Sequence, residues 1–368
     1  MFFLSIISFL SGPIFIIGLI VFFARRRKKS GHPATDKEWY LQLALSKEDA
    51  VSQFFLLLSV FFLGVTLLAF NKDLGDPFSW RTILFITSAL SLISAYYLKA
   101  LYSLAFGLIA ITAWWNAQAA EWIQGKDIPS SVIFVGLVFL ALLFYSLGHL
   151  HEREIKWKRF ALVYLVLGII SITGVLFFFS SKPGLLVLEE MTKGVSFFGS
   201  WQITLSLFIL LASLVGVALY TVAKKLVSPF EFLAVLLLTF LFGVIALLPQ
   251  QSMFLQEGNS SSFYSGGQAL SSSGVLWAVI FNFAVFFELL GLIFSGYLRR
   301  ETWLINLGAF FLFLLIIVKY FSWFFTFLDK SIFFIGAGIL LFVVGWFMEK
   351  SRRMMISNIK AQAQQIPQ

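Results

Sequence analysis

The sequence predicts an all-α, polytopic integral membrane protein of about eleven transmembrane helices, and three observations carry that prediction. Hydrophobic residues make up 60% of the chain and charged residues 12%, whereas a soluble domain is about 25% charged. The apolar residues arrive in separate blocks of about 20, the length that spans a bilayer core at about 1.5 Å per residue. Lys and Arg gather on alternate connections between those blocks, the asymmetry expected of cytoplasmic loops.

Taken in order, the blocks lie at 2–23, 51–70, 82–98, 100–120, 132–150, 160–180, 201–222, 232–249, 275–297, 303–320 and 331–348. This divides the chain into a first transmembrane helix (1–23), a cytoplasmic basic linker with a short amphipathic helix (24–50), a ten-helix membrane domain (51–348) and a cytoplasmic basic tail (349–368). The first block ends in Arg25, Arg26, Arg27, Lys28 and Lys29. Five consecutive cations resist crossing a bilayer, so they anchor that end in the cytoplasm and set the N-terminus outside. A secretory signal carries its cations before the apolar core rather than after it, which favours a retained helix. Alternation from this start places 20 of the 27 Lys and Arg on the cytoplasmic side and 7 on the other. The topology is therefore N-out and C-in. Lys99 alone separates the blocks at 82–98 and 100–120, so that stretch reads either as two crossings joined by a very tight turn or as a re-entrant pair.

In the linker, Thr35-Asp36-Lys37-Glu38 and Ser46-Lys47-Glu48-Asp49 each place a carboxylate three residues after a hydroxyl, the reciprocal capping pattern of a helix start. Between them Trp39, Tyr40 and Leu43 suit a helix lying on the inner surface. The outer segment 250–274 is rich in Ser and Gly, a composition that favours flexibility. The other long outer segment, 181–200, carries Glu189, Glu190 and an apolar Leu185–Leu188 that suits the interface.

Composition also narrows the chemistry. The chain has no Cys, which removes disulfides, thiolate metal sites and cysteine nucleophiles, and only three His. No metal site and no cofactor are expected. The net charge of +9 points to anionic lipid headgroups at the cytoplasmic loops rather than to nucleic acid. Most of the 46 Phe and 11 Trp sit in the blocks or at their edges, where aromatic rings suit the interface.

Glu288 is the sharpest single feature. It lies two residues from the middle of its block, about 3 Å from the bilayer centre, where a carboxylate costs about 2.5–3.5 kcal/mol to insert. Ala284, Gly291 and Ser295 fall on its side of the helix at spacings of four, three and seven, a small-residue face for close helix approach. Glu288 is the candidate for binding a proton, a cation or a headgroup amine. The competing reading is a carboxyl hydrogen-bonded to a neighbouring helix for structure alone. Asn282, six residues earlier and about 240° round the helix, is expected to face elsewhere and join another helix. Lys319 and Lys99 sit near block ends, where their amines can reach the headgroups.

Three further groups have bland readings beside their functional ones. Glu231, after Pro229, reads as a solvated first-turn carboxylate or as an ion site with Lys224 or Lys225. His149 and His151 are too close in sequence for one helical face, which argues for an interfacial cap over a metal pair. Trp114, Trp115, Asn116 and Gln118 read as an aromatic belt or as the lining of a polar vestibule.

The segments Trp39–Ala50 (WYLQLALSKEDA) and Asn306–Arg353 resemble prokaryotic predicted membrane proteins catalogued only as a domain of unknown function. The shared pattern is a Trp…Ser-x-Glu-x-Ala front segment, then Lys319-Tyr320-Phe321, Asp329-Lys330-Ser331, Phe333-Phe334 with Gly336 and Gly338, and Glu349 with Arg352 and Arg353. Three departures stand out: Lys319 replaces Arg, Leu45 lacks the usual preceding Gly, and there is an added first helix. The resemblance implies no established activity, substrate or catalytic residue.

No phosphate-binding glycine loop, Ser/His/Asp set or carboxylate pair stands at one depth in the sequence. A non-enzymatic scaffold, sensor or envelope-assembly factor of the cytoplasmic (inner) membrane is the leading expectation, partnered by lipids and by another membrane protein. A proton- or cation-coupled transporter or lipid-handling protein built on Glu288 is the second. A membrane transferase acting on a lipid-linked substrate is the third, and would need polar residues of the outer loops to converge.

Overall fold

A computed structural model of the chain describes residues 47–154, 157–193, 199–247, 252–254 and 270–324, together with short stretches between 335 and 357. Ten helices stand among the described residues: α1 (Lys47–Asp73), α2 (Trp80–Leu98), α3 (Leu101–Ile123), α4 (Ser131–Glu152), α5 (Lys158–Phe179), α6 (Lys182–Met191), α7 (Trp201–Ala223), α8 (Pro229–Leu247), α9 (Ser272–Arg299) and α10 (Thr302–Phe324). Among these residues the only β pairing is an isolated antiparallel bridge between Phe254 and Leu270. Among the described residues, eight helices are long and apolar enough to cross a membrane. The fold is thus all-helical and has the character of a multi-pass membrane protein.

The eight differ from the eleven expected for identifiable reasons. The block at 2–23, the basic anchors Arg25 to Lys29 and the linker helix before Lys47 lie outside the described residues, as does much of 331–348. Helix α3 is 23 residues long, about 34 Å, but Trp114, Trp115, Asn116, Gln118 and Glu121 make its second half too polar for it to join the eight. The segment 181–193 holds a helix that the sequence did not announce: α6 buries Gly184, Leu185 and Leu188 and leaves Leu186 and Val187 exposed.

The chain divides into two compact units. The first takes in the described residues of Met1–Ser171, Thr192–Ser228 and Thr239–Pro249. Within it α2 and α3 form the most extensively packed helix pair, α1 lies against both, and α4 packs on α3 and α7. The turn between α2 and α3 is as tight as Lys99 required. Lys99 adopts a left-handed conformation (φ 56°) and its N–H donates to the Ala95 carbonyl, so that Ala100 already caps α3. The buried Ser91 hydroxyl then bonds across the hairpin to the Ser103 carbonyl at 2.7 Å.

Helix α4 is the most buried, with 67% of its apolar stretch covered against 22% for α7. Gly136 makes its contact with α3 possible: a Cβ there would meet the Trp115 ring at 2.3 Å. Trp115 is 3% exposed and donates its indole N–H to the Ile133 carbonyl. It is therefore core rather than belt or vestibule, while Trp114 packs on Phe85 with ring centres 4.7 Å apart. Asn116 is exposed.

The second unit takes in the described residues of Ile172–Met191, Pro229–Leu238 and Gln250–Gln368. Its frame is the α9–α10 hairpin. Ser271 caps the start of α9 through the Gly274 N–H, and the far end of α9 stops at Arg300, which is left-handed (φ 60°). Gly296 and Gly308 let the two helices approach closely, since a Cβ at either would fall 2.8–2.9 Å from Ile305 or Ile293. Close approach thus occurs there, whereas Gly291, grouped with Glu288 by its spacing, faces open space.

Candidate functional site

The polar side chains of the second unit are strung along α9, a helix of 28 residues and so about 42 Å. Three stations stand on it. At the first, Asn282 donates its amide to the Ala278 carbonyl on its own helix at 2.6 Å and to the Ser180 carbonyl at 3.3 Å. Lys319 of α10 donates its amine to the same Ser180 carbonyl. Ser180 directly follows the last residue of α5, where carbonyls lack helical partners and the helix dipole is negative. A cation there is favourable, so the amine of Lys319 has a partner inside the unit instead of only the headgroups. Asn282 reaches the same place because Ser180 lies in the turn beyond α5, off the line that the helical angle assumes.

The second station is Glu288. Its Oε1 accepts a 2.6 Å hydrogen bond from the hydroxyl of Thr173, which is 0% exposed. Its Oε2 is buried and has no hydrogen-bond partner among the described residues. Thr173 on α5 and Ser180 just past its end are seven residues apart, and Glu288 and Asn282 six apart on α9, so the two segments run antiparallel with their polar groups in register. Ala284, also on this helix, is half-buried.

The third station overturns the solvated reading of Glu231. That residue is 7% exposed and accepts from the Arg299 guanidinium at 2.6 Å. Its other oxygen accepts from the Ser295 hydroxyl. Ser295, grouped with Glu288 by its spacing, serves Glu231 instead. Lys224 and Lys225 are not the partners found. A depth argument was available: Glu231 stands in the first turn of α8 and Arg299 in the last turn of α9, at connections the charge pattern assigns to one membrane face. A buried carboxylate needs a cation and further hydrogen bonds to offset its desolvation, and here it has both.

The first unit holds a separate polar cluster that sequence spacing could not show. His151, in the last turn of α4, places Nε2 2.8 Å from the Tyr96 hydroxyl of α2, and Tyr96 lies 2.9 Å from the Tyr164 hydroxyl of α5. The imidazole stacks on the Tyr164 ring, and Trp157 and Phe160 pack on Tyr96. His149 is 3% exposed and its Nδ1 lies 3.0 Å from a Glu152 oxygen. The two imidazoles therefore point to different partners. Among the described residues no group of three or more His, Asp or Glu could hold a metal ion.

At the end of the described chain, Glu349 accepts hydrogen bonds from Arg352 and Arg353, which hold its carboxyl down to about 2 from the usual 4.5. Arg352 also donates to Asn306 of α10. These three residues are the Glu-x-x-Arg-Arg element of the resemblance.

No protein-family model matches the sequence, and no curated protein or solved structure is found to match the chain.

Proposed function

We propose that the protein is a non-enzymatic membrane scaffold, sensor or envelope-assembly factor of about eleven crossings, N-out and C-in, in a prokaryotic cytoplasmic membrane. The observation that carries the reading is where its intramembrane polar groups go. Asn282 and Lys319 hold the end of α5, Glu288 holds Thr173, and Glu231 holds Ser295 and Arg299. Each group joins one helix to another, at stations separated by roughly two turns. Acyl, glycosyl or proteolytic chemistry needs such groups converging on one reacting atom. Anionic headgroups at the cytoplasmic loops and a second membrane protein are the partners this reading calls for. The resemblance of 39–50 and 306–353 to uncharacterised membrane proteins belongs to the same proposal.

One observation favours the second reading, a transporter or lipid-handling protein with a proton or cation at Glu288. Its Oε2 is the buried carboxylate oxygen without a partner among the described residues. Thermal stability of the wild type and Glu288→Gln in nanodiscs, across pH and with Na⁺ or K⁺, separates the two. A scaffold predicts the same ion and pH response in both proteins. A shift present in the wild type and lost in Glu288→Gln would establish a ligand at that site.

The topology has its own test, made simple by a chain without Cys. A cysteine placed in 250–274 should react with a membrane-impermeant maleimide in intact cells, and one placed at Ser30 should not. The reverse pattern sinks the orientation.

A further inference from the structure

The Tyr96, His151 and Tyr164 cluster has a direction. Leu147 offers His151 Nδ1 a carbonyl oxygen at 2.7 Å. A carbonyl only accepts, so Nδ1 carries the hydrogen. In the neutral imidazole Nε2 is then an acceptor, which makes the Tyr96 hydroxyl its donor at 2.8 Å. Tyr96 has spent its hydrogen, so the hydroxyl of Tyr164 donates to it at 2.9 Å. One tautomer thus fixes the sense of three hydrogen bonds, two of which join α2, α4 and α5.

We propose that these residues form a proton-sensitive clasp: neutral His151 receives the chain of hydroxyl hydrogens, and protonated His151 reverses it and loosens the hold on Tyr164. With both ring nitrogens protonated, Nε2–H donates to Tyr96, and Tyr96, which can no longer donate to the ring, turns its hydrogen to Tyr164. The Tyr164 hydroxyl hydrogen then loses its acceptor. Tyr164 is 5% exposed, and among the described residues its hydroxyl bonds only to Tyr96. A buried O–H without a partner is costly, so the proton is felt at α5 although it binds on α4.

The groups facing the imidazole are consistent with a change of charge there. From α2 comes Tyr96 and from α5 Tyr164, both phenols. On its own helix Glu152 is engaged with His149, and the following Arg153 donates to Tyr220 of α7. Lys158 and Arg159 stand in the first turn of α5, and Trp157 covers the Tyr96 ring. Imidazole is the side chain that ordinarily titrates between about pH 5 and 8, a range in which the surrounding phenols keep their protons.

The test is nuclear magnetic resonance of the full chain in nanodiscs. His151 alone of the three His follows a Leu, since His32 and His149 both follow Gly. Carbonyl-labelled leucine with nitrogen-labelled histidine therefore marks it without a mutation. The expected result at about pH 8 is the Nδ1–H tautomer, the less common one in free histidine. Lowering the pH to about 5 should protonate Nε2 and shift the ring signals of Tyr96 and Tyr164 with the same midpoint. In Tyr96→Phe, the Tyr164 shift should fall to the part that stacking on the imidazole transmits by itself. An Nε2–H tautomer at high pH, tyrosine signals that stay fixed through the titration, or a Tyr164 shift that persists in full in Tyr96→Phe each overturns the clasp. The tautomer is read in the wild type, so the proposal is decided even if the variant does not fold.

Discussion

Two acidic side chains meet the surface of α9, and they are treated differently. Glu231 has Arg299 on one oxygen and Ser295 on the other, so both acceptors are used and the charge is matched. Glu288, about 10 Å along the helix from Ser295, has one hydroxyl donor, and its second oxygen is buried without a partner among the described residues. The first arrangement is that of a structural strut. The second leaves chemistry unspent, and sequence composition does not separate them, since each is a Glu in an apolar helix.

The contrast can be broken most forcefully from the Arg299 side. Arg299→Ala takes the guanidinium away from a buried carboxylate, and should cost about 3–5 kcal/mol, read as a large drop in unfolding temperature. The double variant with Glu231→Gln should recover much of that loss, because the stranded charge is gone. If the single variant is as stable as the wild type, the pair is not a strut.

Thr173→Val removes the one donor to Glu288 among the described residues while keeping the shape of the side chain. The expected loss is about 1–3 kcal/mol, smaller than that of Arg299→Ala because no cation is removed. Glu288→Gln should cost less again, under about 1.5 kcal/mol, since the amide oxygen still accepts from Thr173. A larger loss from Glu288→Gln than from Thr173→Val would mean that the second oxygen holds something that an amide cannot.

The smallest effect extends the comparison to a carboxyl in water. Glu349 has its folded value lowered from 4.5 to about 2 by Arg352 and Arg353. A lowered value means that its stabilising contribution is present above about pH 4.5 and fades as the pH falls toward 2. The group is exposed and screened, so the difference between wild type and Glu349→Gln should be slight at neutral pH, and should shrink with added salt and with acid. An equal difference at every pH would remove the ion cluster from the account of the tail.

Apolar block length located most of the described helices to within a few residues: the block at 132–150 became Ser131–Glu152, and 201–222 became Trp201–Ala223. Lipid-length runs are written in composition, so they survive without any knowledge of neighbours. Partners are not. The Glu231–Arg299 pair joins residues 68 positions apart, and Tyr96 meets His151 across 55; either contact requires knowing which helices lie side by side. Helix α6 escaped for a different reason, since ten residues are too few to register as a span and its apolar residues read as part of a loop. Glu288 was legible as a costly residue, because depth follows from counting along one helix, but its bond to Thr173 was not.

The left-handed Lys99 that ends α2 has a consequence in time as well as in space. A link of two residues between helices of 19 and 23 residues leaves no slack. While a nascent chain is being threaded into a bilayer, α2 has no room to settle alone and wait for α3. A hairpin this tight should insert as one unit, with the Ser91 to Ser103 bond closing as soon as both arms are in place. Adding a flexible spacer after Lys99 would therefore slow or misdirect insertion before it altered any property of the finished protein.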